Sequence, residues 1–68
     1  MKVRFDHSRI KTLRTEAGLS QYDFGKAIGQ PPQVISMYER GKMMPTVKVL
    51  ARMADRYEKS IEYFFALN

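Results

Sequence analysis

The stretch from Ser20 to Gly41, SQYDFGKAIGQPPQVISMYERG, leaves this chain few ways to fold. Ser20 can cap a helix, with Asp23 three residues on in a capping-box arrangement, and Phe24, Ala27 and Ile28 supply its apolar face. Gly29 closes that helix and Gln30-Pro31-Pro32 opens the next. Proline suits a first helical position, where its missing N–H has no intrahelical partner anyway. Pro32 also drives Pro31 out of the α region, so the boundary falls between the two prolines. The following helix runs from Pro32 to about Arg40, with Ile35 and Tyr38 inward, Gln33, Ser36 and Met37 on one face, and Gly41 at its end. Gly25 sits inside the earlier helix at a cost of roughly 1 kcal/mol against alanine, which predicts the close approach of another helix.

The flanking segments extend the same pattern. Ser8 can cap a first helix through about Ala17, with Ile10, Leu13 and Ala17 as its apolar stripe and Gly18 as its stop. Thr46 can cap a fourth helix whose apolar face is Val47, Leu50, Met53, Ala54 and Tyr57. Ser60 can cap a short fifth helix with Ile61, Phe64 and Phe65, and Glu62 suits the positive end of its dipole. In Met1–His7, Val3 and Phe5 alternate with Lys2, Arg4 and Asp6, compatible with a short strand or an extended arm. A frayed terminus with Phe5 resting on the core is the expectation. The expected architecture is all-α with five helices: a short N-terminal extension over 1–7, then a single domain over 8–68 with a helix-turn-helix motif at 21–40.

Composition narrows the function. A chain of 68 residues with 44% apolar residues has material for one small core. Its formal net charge of +5 and pI of about 9.8 favour a polyanionic partner, nucleic acid first. There is no cysteine for a disulfide, a thiolate ligand or a nucleophile. No long apolar run suggests a membrane span or a secretory signal, so a cytoplasmic protein without membrane association is expected. The one histidine, His7, reads as an exposed or capping residue, and the seven acidic residues show no paired-carboxylate or metal-ligand spacing. Gly25 and Gly29 are not followed by the Gly-Lys-Ser/Thr of a phosphate loop. No enzyme activity, cofactor or metal is expected.

Taken in order, RIKTLRTEAGLSQYDFGKAIG, QVISMYERGKMMPTVKVLARMA and SIEYFF resemble the Cro/C1-type helix-turn-helix family. This family, also called the xenobiotic response element family, includes the lambdoid phage repressors and Cro proteins. The resemblance spans about Arg9 to Phe65 and is most specific at Gly18-Leu19-Ser20-Gln21, Ile35-Ser36, Glu39-Arg40-Gly41-Lys42 and Pro45. It implies a lambda-repressor-like DNA-binding domain in which Gln21 binds a DNA phosphate and Gln30, Pro32, Gln33, Ser36 and Met37 face the bases. It further implies backbone contacts from Arg40, Lys42 and Met44, and an ion pair between Arg14 and Glu39. Where the family often has Ser or Thr to open its reading helix, this chain has Pro31, which removes a capping oxygen.

The chemistry of those positions sets what they can read. Gln30 to Tyr38 contains no charged residue, so no arginine is present for the bidentate guanine contact. A glutamine amide can bond adenine N6 and N7 together, which assigns adenine to Gln33. Pro32 and Val34 can cover thymine methyls, Met37 either does so or packs on the preceding helix, and Ser36 can bond almost any base edge. Phosphate contacts fall to Gln21, Arg40 and Lys42, with help from Lys26 and Arg9. Specific binding implies a homodimer on palindromic half-sites in double-stranded DNA. Tyr63 and Leu67, at i and i+4, either form a self-complementary dimer patch or close the core. The leading expectation is a phage- or prophage-type repressor or Cro-like regulator that occupies an operator. The second is an antitoxin or other protein-binding regulator on the same fold, favoured by Met43 and Met44 and with or without DNA binding of its own.

Overall fold

The computed structural model describes residues 2–67; Met1 and Asn68, the outer ends of the expected extension and domain, lie outside the described residues. The elements run β1 (Val3–Phe5), α1 (Ser8–Glu16), α2 (Gln21–Ile28), α3 (Pro32–Glu39), α4 (Val47–Arg56), a 3-10 turn (Ile61–Phe64) and β2 (Phe65–Leu67).

The core draws on every helix. Ile10 and Leu13 enter it from α1, Phe24 and Ile28 from α2, Ile35 and Tyr38 from α3, and Val49, Leu50, Met53 and Ala54 from α4. Phe64 closes one end and is fully buried. Local signals stop and start the helices. Ser20 Oγ accepts from the Asp23 N–H at 3.0 Å, and Thr46 Oγ1 accepts from the Val49 N–H at 3.2 Å. Pro31 is extended at φ −71°, ψ 157°, immediately before Pro32 at the first position of α3. Gly29 takes φ +77° at the end of α2, a left-handed geometry that costs glycine least.

Several expectations need correction. Among the described residues there are four α-helices, not five, and the fold is mostly helical rather than all-α. Ile61–Phe64 makes only a 3-10 turn, and Phe65–Leu67 is extended as β2. A helix nucleus is costly and seven residues recover little of that cost, whereas pairing with β1 satisfies the backbone directly. β1 is therefore not a frayed extension. It pairs antiparallel with β2 in the register Val3↔Leu67, Arg4↔Ala66 and Phe5↔Phe65, with the Phe5 and Phe65 rings edge-to-face at 5.8 Å.

Ser8 does not cap α1 as expected. The cap position falls on His7, whose side chain makes no capping bond, while the Asp6 carboxylate accepts from the Ser8 N–H at 3.1 Å and from Ser8 Oγ at 2.6 Å. Ala17 and Ala27 are exposed, because the helices are packed over a narrower arc than their apolar stripes span. Val47 is 77% exposed and Val49 takes the place in the core expected of it. Gly25 does lie at a close approach, but chiefly to the turn after α2. A Cβ there would overlap the Gln30 carbonyl oxygen, with Ile35 Cγ1 of α3 next at 3.1 Å.

Candidate nucleic-acid interface

The turn between α2 and α3 is held from three sides. The Gln30 N–H donates back to the Gly25 carbonyl at 2.8 Å, and the Val34 and Ile35 N–H groups donate to Pro31 at 3.0 and 3.2 Å. Arg52 of α4 reaches across to the Ile28 carbonyl at 3.5 Å. Its guanidinium would stand 3.2 Å from a Cβ at Gly29. With Ile35 and Tyr38 locked in the core, helical periodicity leaves Gln33, Ser36 and Met37 facing outward.

These side chains line an open depression of about 480 Å³ together with Gln21, Pro32 and Arg40. All six lining residues are ones that the family resemblance implies at bases or phosphates, and they share one surface. Gln30 and Lys26 line a second depression beside it, with Tyr22, Gly29, Pro31 and Pro32. Pro32 is common to both, so Lys26 and Gln30 flank the start of α3 while Arg40 flanks its end. Lys42 and Met44 are exposed in the loop that follows.

Glu39 lies at the end of the helix that would face a polyanion, and its charge is neutralised locally. Arg14 Nε donates to Glu39 Oε2 at 2.5 Å, Arg14 Nη2 donates to Oε1 at 3.1 Å, and Arg14 Nη1 donates to the Leu19 carbonyl at 2.9 Å. The hydrogen bond to Glu39 raises the Arg14 guanidinium further above its ordinary value. Gln21 Nε2 also donates to Glu39 Oε1 at 3.1 Å. An amide nitrogen has two N–H donors, so this bond fixes Gln21 and leaves a second donor for a phosphate oxygen.

Some expected contacts are not brought to this face. Arg9 lines neither depression; it bridges Asp6 at 3.5 Å and lies 5.3 Å from the Tyr63 ring centroid. Val34 is half-buried, packs against the core and lines neither depression. Met37 is half-buried yet lines the depression. Tyr63 and Leu67 do not share a helix face: Tyr63 belongs to the 3-10 turn and Leu67 to β2. Leu67 is 64% exposed opposite Val3, whereas Tyr63 lies between Arg9 and Lys59, the latter 5.0 Å from its ring. Tyr22 is a surface aromatic that the sequence reading missed, although its i, i+4 spacing to Lys26 places both on one side of α2.

Four packed helices with a glycine-closed turn between the second and third, and an outward polar face on the third, define a helix-turn-helix domain. The comparison with known proteins agrees. Residues 10–64 match a helix-turn-helix family model, and the chain belongs to that family. It is 32% identical over 60 residues to the HTH-type transcriptional regulator PrpR of Mycobacterium tuberculosis, a match covering 88% of this chain and 12% of that protein. It is 43% identical over 44 residues to multiprotein-bridging factor 1c of Arabidopsis thaliana, covering 65% of this chain and 30% of the relative. The chain thus spans less than a third of these relatives. The P22 c2 repressor, solved in complex with a synthetic operator, superposes with a TM-score of 0.81 at 24% identity, over 90% of this chain and 92% of that one. Among the described residues, no helix is long and apolar enough to cross a membrane.

Proposed function

We propose that this domain is a sequence-specific DNA-binding transcriptional regulator that lays α3 in the major groove. One observation carries the reading: Gln33, Ser36 and Met37 share a single open surface with Gln21 and Arg40, a polar reading strip framed by phosphate donors. The net charge of +5 supplies the general attraction. The operator-bound P22 c2 repressor shares the fold, which supports a repressor or Cro-like role. Gln33 reads adenine, and Pro32 and Met37 contact thymine methyls. Two copies occupy palindromic half-sites about 34 Å apart.

The test is binding to the DNA upstream of its own gene at about 50 and about 200 mM salt, with Gln33→Ala as control. Loss of specific binding with non-specific binding retained supports direct readout. A folded protein that binds no DNA at the lower salt refutes it. That second result favours the other reading, a protein-binding regulator or antitoxin. Its support is the exposed side chains of Met43, Met44 and Val47 and the similarity to a multiprotein-bridging factor.

A further inference from the structure

The last turn of α3 distributes its carbonyls in a way that implicates His7. The Arg40 N–H donates to Ser36 at 3.0 Å, the Lys42 N–H to Met37 at 2.9 Å and the Gly41 N–H to Tyr38 at 3.1 Å. These bonds close the helix in a Schellman motif. The next carbonyl, that of Glu39, accepts from His7 Nδ1 at 2.9 Å across 32 residues of sequence. A carbonyl can only accept, so Nδ1 carries the proton in this arrangement. The imidazole also lies against Gly41, where a Cβ would stand 2.9 Å from Cδ2 and 3.0 Å from Nε2. Gly41 is at φ +72°, so the ring lies against a residue that already favours glycine.

His7 is itself held in place. Asp6 on one side donates its N–H to the Phe64 carbonyl at 2.8 Å, and its carboxylate binds Ser8 on the other side. Residue 7 therefore sits at a fixed corner between β1 and α1. Glu39 is gripped at both ends, its carboxylate by Arg14 and Gln21 and its carbonyl by His7. The Glu39–Arg40 peptide is the one that sets where Arg40 leaves the helix and where the chain starts towards Lys42.

We infer that His7 is a positioning residue for DNA binding: its Nδ1–H ties the end of α3 to the β1–α1 corner and so presents Arg40 and Lys42 to the phosphate backbone. The inference rests on the DNA-binding reading above. The ribbon acquires a function from it, because the pairing of β1 with β2 is transmitted through Asp6 and His7 to the end of the reading helix.

Three variants of the full chain separate the hydrogen bond from packing. His7→Ala removes ring and donor, His7→Phe keeps a ring against Gly41 without the donor, and His7→Asn keeps an N–H at the same distance from the backbone as Nδ1. The probe is a mixed-sequence duplex of about 20 base pairs, since phosphate contacts are independent of base sequence. His7→Ala and His7→Phe are expected to bind it roughly three- to tenfold more weakly, with the salt slope reduced by about one, and His7→Asn to restore both. Amide hydrogen exchange, which needs no DNA, is expected to be faster at Arg40, Gly41 and Lys42 in the first two variants, unchanged in α2, and restored by His7→Asn.

Wild-type affinity and exchange in His7→Ala, or rescue by His7→Phe but not by His7→Asn, would overturn the inference. Faster exchange with unaltered DNA binding would overturn its functional half. A wild-type protein that ignores the duplex at low salt would overturn the DNA-binding reading, and the exchange data alone would then decide whether His7 holds the helix end.

Discussion

Arg14 and Glu39 join the first helix to the end of the third through a two-pronged ion pair, Nε to Oε2 at 2.5 Å and Nη2 to Oε1 at 3.1 Å. The Arg14 side chain is 14% exposed and that of Glu39 only 4%, so neither charge is well hydrated. Such a pair adds little over an apolar pair of similar size, but losing one member strands the other. Arg14→Met is expected to cost about 3 kcal/mol, with more than half regained in the Arg14→Met, Glu39→Leu double variant. Urea unfolding of the four proteins of the cycle measures this. A single-variant cost below about 1 kcal/mol would place the pair with ordinary surface ion pairs.

Gly25 illustrates a helix-interior glycine retained for space. Alanine would raise helix propensity by roughly 1 kcal/mol, but its methyl would overlap the Gln30 carbonyl oxygen, a backbone atom inside a tight turn. Gly25→Ala is therefore expected to destabilise by about 2 kcal/mol net, measured by thermal or urea unfolding. A stabilised variant would mean that the turn can shift without cost.

Glu58 offers a change of opposite sign. It follows α4 at φ +56°, the single positive-φ residue other than glycine among the described residues. The Lys59 N–H closes the helix end on the Ala54 carbonyl at 2.8 Å. Glu58→Gly relieves the left-handed strain and is expected to stabilise by about 1 kcal/mol, read as a rise in Tm. Glu58→Val should lower Tm, since branching at Cβ makes that conformation worse.

Tyr57 stacks on Phe24 with ring centroids 5.4 Å apart, yet its hydroxyl is buried with no hydrogen-bond partner among the described residues. Tyr57→Phe keeps the stack and removes the unpaired polar atom. The expected effect is between neutral and about 1 kcal/mol stabilising, measured by denaturant unfolding. A loss above about 1 kcal/mol would show that the hydroxyl has a partner in solution.

The parts of the fold legible in the sequence were those specified within a few residues. The Ser20 and Thr46 caps, the boundary between Pro31 and Pro32, and the stops at Gly18, Gly29 and Gly41 all depend on local backbone chemistry. The inward places of Ile35 and Tyr38 followed from helical period, which also set Gln33, Ser36 and Met37 outward. Less legible were Ala17, Ala27 and Val47, because an apolar residue at the margin of a stripe is buried only if a neighbour covers it. Tyr22 escaped notice for the converse reason: nothing local shows that an aromatic will remain uncovered.

By itself, then, the sequence determined a basic helix-turn-helix chain, the limits of its second helix, and a third helix that opens at Pro32 and carries no charge before Glu39. Those are properties of short segments, set by caps, proline geometry, glycine and periodicity. Only the tertiary structure decided that Ile61–Leu67 turns and then extends, because the deciding partner, Val3–Phe5, is about sixty residues away. Only it showed that Gly25 makes room for the turn after it and that His7 reaches the Glu39 carbonyl. Each of these depends on which surfaces meet in space, and a backbone hydrogen bond between distant segments leaves no periodic trace in either.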